Sequence, residues 1–143
     1  MRVPNLVVVA QQQKPLSDEL VSQVRAFNQH VLGYSDAQPL AVEARGDAGE
    51  LLGGVSGRTV YQHFLIEVLW VAESERGAGL GRALMAKAEE EARRRGCVGS
   101  QVDTLSFQAP GFYQKLGFAV IGEVPNFPPG HTRYFLFKSY LDA

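Results

Sequence analysis

The segment SERGAGLGRALM, residues 74–85, carries three glycines within five positions, Gly77, Gly79 and Gly81, next to Arg76 and Arg82. Leu80, Ala83 and Leu84 begin a helical pattern at the same place. Glycine is costly to fix in a helix, and none of residues 77–82 is a capping Ser, Thr, Asp or Asn. Such a start offers bare backbone: unpaired N–H groups at the positive end of the helix dipole, with no side chains to hold a large ligand away. Its natural guest is a phosphate or pyrophosphate. Arg76 and Arg82 can add charge-assisted bonds, worth roughly 1.5–3 kcal/mol each when well placed. The segment is not a P-loop, because no Lys-Ser or Lys-Thr follows the glycines. It is not a dinucleotide fingerprint either, because Arg82 stands where the third glycine of G-x-G-x-x-G belongs, counting from Gly77. Taken alone, the stretch also reads as a glycine turn that binds nothing.

The elements around it follow from periodicity and breakers. Residues 5–10 read as a short buried strand. Pro15 and Ser17 open a helix whose apolar face is Leu16, Leu20, Val24, Phe27 and Val31, and Gly33 ends it. Residues 39–44 and 50–57 form a hairpin around RGDAG. VYQHFLIEVLWVA, residues 60–72, is apolar on both faces and predicts a central strand in a covered sheet. The glycine helix runs to about Arg95 and stops at Gly96. Then come a strand at 99–105, a short helix at 109–117, and strands at 118–124 and 132–140. The strand–helix–strand unit in the middle has antiparallel material on both sides, which gives an α/β (α+β) fold with a mixed, mostly antiparallel sheet and helices on its faces.

A second stretch, APGFYQKLGF at 109–118, lies about thirty residues beyond the glycines. Together the two resemble the GNAT superfamily of acetyl-CoA-dependent N-acetyltransferases. Arg76, Gly79 and Gly81 match its [Q/R]-x-x-G-x-[G/A] pattern, and Tyr113 before K-L-G-F matches its short helix. The element order agrees over the whole chain, so residues 1–143 are expected to be a single GNAT-like domain. In that fold the fourth and fifth strands, here 60–72 and 99–105, splay apart. The resemblance implies that the pantetheine arm of acetyl-CoA lies in the gap, pairing with backbone near Leu69 and Val71. It also implies that the pyrophosphate rests on Gly77, Ala78, Gly79, Leu80, Gly81 and Arg82, with Arg76 beside it. Many members carry an asparagine seven residues before the tyrosine to contact the cofactor arm, and here that position is Ser106.

The implied chemistry is direct attack of a primary amine, of a small molecule or peptide, on the thioester. An alkyl ammonium of pKa ~10.4 costs about 4–5 kcal/mol to deprotonate at neutral pH, whereas the leaving thiolate has pKa ~8.5. A base therefore matters more than an acid. Tyr113 matches the family tyrosine that protonates the thiolate; it also reads as a phenol packing the short helix. Glu67, a lone acid in an apolar strand, is the base candidate. Strict alternation puts it on a face with Leu65, Leu69 and Val71, where burial would raise its pKa. An edge-facing or salt-bridged glutamate, or a bulge in this strand, would undo that reading. Asp103 and Glu123 are weaker candidates of the same type. Backbone N–H groups near Leu69 or Val71 would hold the oxyanion. Acids at Glu67 and Asp103 hint at a cationic acceptor such as a polyamine or aminoglycoside. A non-catalytic acyl-CoA sensor with the same fold is the alternative.

Composition bounds the rest. A net charge of −1 over 143 residues gives no field for nucleic acid or an anionic membrane, and no apolar run is as long as a membrane span. His30, His63 and His131 are too scattered to suggest a metal site. The single cysteine, Cys97, cannot form an internal disulfide and fits a cytoplasmic protein. The three arginines at 93–95 complement a helix C-terminus. NFPPGHTRY, residues 126–134, reads either as an acceptor-pocket wall or as a stiff surface loop. Family members often dimerise, so the resemblance leaves a homodimer open.

Overall fold

The computed structural model describes residues 4–141. The chain divides into two compact units, residues 1–35 and 36–143. In the first, helix α1 spans Lys14–Leu32, with Pro15 in its first turn. Gly33 closes it in the left-handed conformation, donating its N–H to the Gln29 carbonyl at 2.7 Å. The expected strand at 5–10 is absent: residues 4–10 are irregular and pair with no strand. An apolar run becomes a strand only when a neighbouring edge takes up its backbone groups. The sheet is instead built wholly from residues in the second unit.

That unit begins with β1 (Gln38–Arg45), β2 (Leu51–Val60) and β3 (His63–Val71), three antiparallel neighbours. The strand expected at 60–72 starts late because Tyr61 and Gln62 form a two-residue turn, with φ of 53° and 63°. Positive φ at both central residues is the geometry that matches strand twist in tight hairpins. Tyr-Gln gives none of the usual Asn-Gly cue for it. Helix α2 (Leu80–Arg94) crosses β1 to β3 and buries Leu84, Met85, Ala88 and Ala92. Strand β4 (Gly99–Leu105) runs parallel to β3, as a strand–helix–strand crossover requires. Helix α3 (Pro110–Lys115) and the hairpin β5 (Ala119–Pro125) and β6 (Thr132–Ser139) complete the chain. The sheet order is β1-β2-β3-β4-β6-β5, parallel only between β3 and β4.

Two details of this sheet shape the site. First, β3 and β4 pair over only three residues, His63–Leu65 against Gly99–Gln101, and then part. The expected splay is present. Second, the β2–β3 register places Ser56 opposite Val68 but Gly57 opposite Ile66, so Glu67 is an extra residue, a β-bulge. Gly57 makes room for it, because a Cβ there would collide with the Leu65 carbonyl. The core sits between α2 and the sheet, around Leu40, Val55, Phe64, Met85 and Leu136, each worth roughly 1.5–3 kcal/mol on burial.

Candidate functional site

The bulge decides which backbone groups the gap receives. Ahead of it, the Leu65 carbonyl faces β2, against Gly57. Beyond it, the Ala72 N–H donates to the Leu52 carbonyl at 2.8 Å, and a Cβ on Gly53 would sit 3.0 Å from the Trp70 carbonyl. Residues 70 and 72 therefore face β2, and alternation turns the N–H and C=O of Leu69 and Val71 toward the gap. Without the extra residue they would point into the β2 ladder. Among the described residues no strand pairs with them there, since β4 has already diverged.

The open mouth of this gap is a cleft of about 890 Å³. Leu69, Trp70 and Val71 form its β3 wall. The glycine turn forms a second, through Glu75, Arg76, Gly77, Gly79, Leu80, Gly81 and Arg82. Phe107, Gln108, Ala109, Phe112 and Lys115, from the β4–α3 turn and α3, form the third. Gly77 and Gly79 are left-handed, at φ 82° and 87°, with open space where a Cβ would be. Gly79 is the N-cap of α2 and no side chain caps the helix. The first intrahelical bond at this end runs from Ala83 N–H to the Gly79 carbonyl at 3.0 Å. The N–H groups of Leu80, Gly81 and Arg82 precede it, so they face the cleft as donors without helical partners. Gly81 has a different reason to be glycine: a Cβ would press on the Phe112 ring at 3.2 Å. Three cations, Arg76, Arg82 and Lys115, ring this end. Arg76 already holds the strand: its Nε–H donates to the Val71 carbonyl at 3.1 Å.

The expected cofactor residues converge here, with two exceptions. Ala78 is not on the cleft wall. Ser106 is also off the wall, and its hydroxyl accepts the Thr132 N–H at 3.0 Å, 3.4 Å from His131 Nδ1. It ties the start of β6 to the β4–α3 turn, and Phe107 and Gln108 take the place expected for it. Sequence reasoning missed Trp70, Phe107 and Lys115; Lys115 lay within the K-L-G-F match, where attention to charge could have found it.

Tyr113 on α3 is buried behind the cleft wall rather than on it, edge-on to the wall residue Phe112 at 5.2 Å and to Phe118 at 5.6 Å between ring centroids. Burial pushes its phenol up to about 12, with the Asp103 charge adding to the rise. It stays protonated through the whole physiological range.

Glu67 does not sit as expected. Its side chain is 59% exposed and pairs with Arg58, Oε1 to Nη1 at 3.3 Å. The bulge breaks the alternation on which the expectation rested: Phe64 and Ile66 lie on the core face, and beyond the bulge Leu69 and Val71 take that face over. Glu67 instead joins Val68 and Trp70 on the opposite, open face. Across the splay, Asp103 of β4 lies on the same open face and pairs with Arg133, Oδ2 to Nη2 at 3.2 Å. Glu123 is exposed on β5. Among the described residues no group of three or more His, Cys, Asp or Glu could hold a metal, and no helix is long and apolar enough to cross a membrane.

Comparison with known proteins bears on this geometry. The model of the acetyltransferase (GNAT) family matches residues 9–118. The chain is 48% identical over 107 residues to a blasticidin-S acetyltransferase of Streptomyces morookaense, covering 72% of this chain and 79% of that one. It is 35% identical over 134 residues to an acetyltransferase of Agrobacterium fabrum, covering 94% and 95%. The crystal structure of an acetyltransferase from Agrobacterium tumefaciens superposes with a TM-score of 0.89 at 32% identity, over 95% of this chain and 99% of that one.

Proposed function

The chain belongs to the acetyltransferase (GNAT) family and is an N-acetyltransferase, and on that premise we propose that it moves an acetyl group from acetyl-CoA to a primary amine by direct attack in a ternary complex. The observation that carries the reading is one cleft in which the gap-facing backbone of Leu69 and Val71 meets the uncapped start of α2. In this reading the pyrophosphate takes the N–H groups of residues 77–82, with Arg76, Arg82 and Lys115 as counter-charges. The pantetheine arm extends the sheet at Leu69 and Val71, as a peptide adds to an open strand edge. The thioester carbonyl then lies against a backbone N–H of the same stretch, which stabilises the oxyanion of the tetrahedral intermediate.

The amine nitrogen forms a bond to the acetyl carbon, the C–S bond breaks, and the sulfur leaves with its electron pair. Tyr113 is the hydrogen-bond donor to that sulfur. Its phenol at about 12 is a weaker acid than a thiol of pKa ~8.5, so its role is to donate a hydrogen bond to the thiolate rather than to surrender the proton outright. The ammonium proton leaves through Glu67, directly or by way of water, on the open face of β3. Glu67 is ion-paired and solvated, so the acceptor's own ammonium competes with Arg58 for it.

The acceptor we propose is a small cationic molecule. Two supports stand behind this: the carboxylates of Glu67 and Asp103 on the open face at the splay, and a 48% identical relative whose name assigns it blasticidin S. The buried lone Cys97 fits a reducing, cytoplasmic setting. An amine panel followed by CoA thiol release tests the whole reading. Cationic primary amines are expected to raise release well above slow hydrolysis. Binding of CoA with no stimulation by any amine would favour the sensor alternative.

A further inference from the structure

The loop between β5 and β6 is closed on itself, with Phe127 N–H bonded to the His131 carbonyl at 3.1 Å and His131 N–H to the Pro128 carbonyl at 2.9 Å. His131 stacks edge-on against Phe107, a cleft-wall residue, at 4.8 Å. Beside it, Arg133 stands opposite Leu105, the last residue of β4, and Phe135 stands opposite Asp103. Arg133 and Phe135 alternate with the core residue Leu136, so together with Asp103 they occupy the open face of the sheet.

The Arg133 guanidinium is held on three sides. It lies 4.7 Å from the Phe135 ring centroid and 5.2 Å from that of Phe127. Its Nε donates to Asp103 Oδ1 at 3.3 Å, and its Nη2 lies 3.2 Å from Oδ2. Two aromatic faces and a carboxylate are the elements of a cation-recognition cage. Here the guest is a side chain of the same protein, and it is only partly withdrawn from water, at 32% exposure for Arg133 and 47% for Asp103.

We propose that Asp103, Phe127 and Phe135 form the subsite for a cationic group of the acceptor, and that Arg133 is a self-guest which the acceptor displaces. This deepens the proposed function and rests on its reading of the acceptor as cationic. The placement suits the task. The cage lies at the end of β4, beyond the point where β3 and β4 part, and one turn of chain from Phe107 in the cleft. A second cationic group of the substrate held there leaves its amine free to reach the thioester. Displacement keeps charge balanced, since one cation replaces another on Asp103, and the released guanidinium passes into solvent. The self-guest also imposes discrimination: a neutral amine cannot compete for the cage, so it gains nothing there.

The probe is spermidine, titrated calorimetrically into the CoA-bound protein and used as acceptor in thiol-release assays. Arg133→Gln vacates the cage and is expected to tighten spermidine binding roughly tenfold and to lower its KM with little change in kcat. Adding Asp103→Asn or Phe127→Leu to Arg133→Gln is expected to abolish the gain. Arg45→Gln removes an exposed arginine paired with Glu43 elsewhere and is expected to change neither quantity. Unchanged or weakened spermidine binding in Arg133→Gln, with its folding intact by melting, overturns the proposal. A protein that binds spermidine through the cage yet acetylates no amine would instead overturn the catalytic reading and leave the cage standing.

Discussion

At the scale of single residues, the roles proposed for Tyr113 and Glu67 are separable. Tyr113→Phe keeps the ring packing against Phe112 and Phe118 and removes only the hydroxyl. We expect kcat to fall by roughly 10²–10⁴ with the KM for acetyl-CoA nearly unchanged. An unaltered kcat would reduce Tyr113 to a packing residue. Glu67→Gln is expected to lower kcat/KM by about 10² near neutral pH, with the deficit shrinking as pH rises toward the amine's own pKa, where free amine no longer needs a base. A deficit independent of pH would assign Glu67 to its Arg58 ion pair alone. The candidate residues were legible in type but not in setting. The glycines, Arg76 and Tyr113 stood out as candidates by identity and spacing. The exposure of Glu67 did not, because alternation counts residues and a bulge adds one without any mark of its own. Ser106 likewise read as a cofactor contact from its position, while the Thr132 N–H that occupies it comes from a strand 26 residues away.

At the scale of elements, the bulged β3 and the glycine turn determine whether the cleft exists. Gly57 is the sequence's accommodation of the bulge, and its need is visible only once β2 and β3 are paired. Gly57→Ala forces a Cβ against backbone rather than a flexible side chain. It is expected to cost about 2–4 kcal/mol by denaturant unfolding and to weaken acetyl-CoA binding by turning Leu69 and Val71 out of register. Gly79→Ala tests the turn differently, since space is open there and only the left-handed φ of 87° resists. The expected cost is about 1–2 kcal/mol, paired with a loss of affinity for CoA but not for its dephosphorylated pantetheine fragment. Equal loss for both ligands would mean that the turn serves the fold and not the pyrophosphate. The strand boundaries at Tyr61–Gln62 and the missing strand at 5–10 show the limit of reading elements alone. A turn with two positive φ values was accepted by residues with no special tolerance for it, and an apolar run found no edge to join.

At the scale of the whole molecule, stability and cofactor affinity have distinct dependences on solution conditions. Tyr113 and Tyr140 are both pushed up to about 12 by burial, against an unfolded phenol pKa of ~10. A group whose folded pKa lies above its unfolded one contributes fully below the unfolded value and loses that contribution as pH climbs through the folded one. Stability is therefore expected to fall between pH 10 and 12, and Tyr140→Phe to flatten that slope in chemical denaturation across the window. The net charge of −1 means that the protein as a whole does not attract an anionic cofactor; in the proposed reading the cations at 76, 82 and 115, which line the cleft, do so locally. Affinity for CoA should therefore drop with added salt, since these exposed charges are screened over about 8–10 Å at physiological ionic strength.

Everything proposed for this cleft rests on acetyl-CoA lying with its pyrophosphate on the backbone of residues 77–82 and its arm along Leu69 and Val71. Backbone amide resonances of isotope-labelled protein, followed during titration with CoA, report on that placement residue by residue. The largest shifts are expected at Leu69, Val71 and Gly77 through Arg82, with little change on the far strands β1 and β5. Saturable binding that leaves those amides unmoved, with the shifts gathered elsewhere, would contradict it.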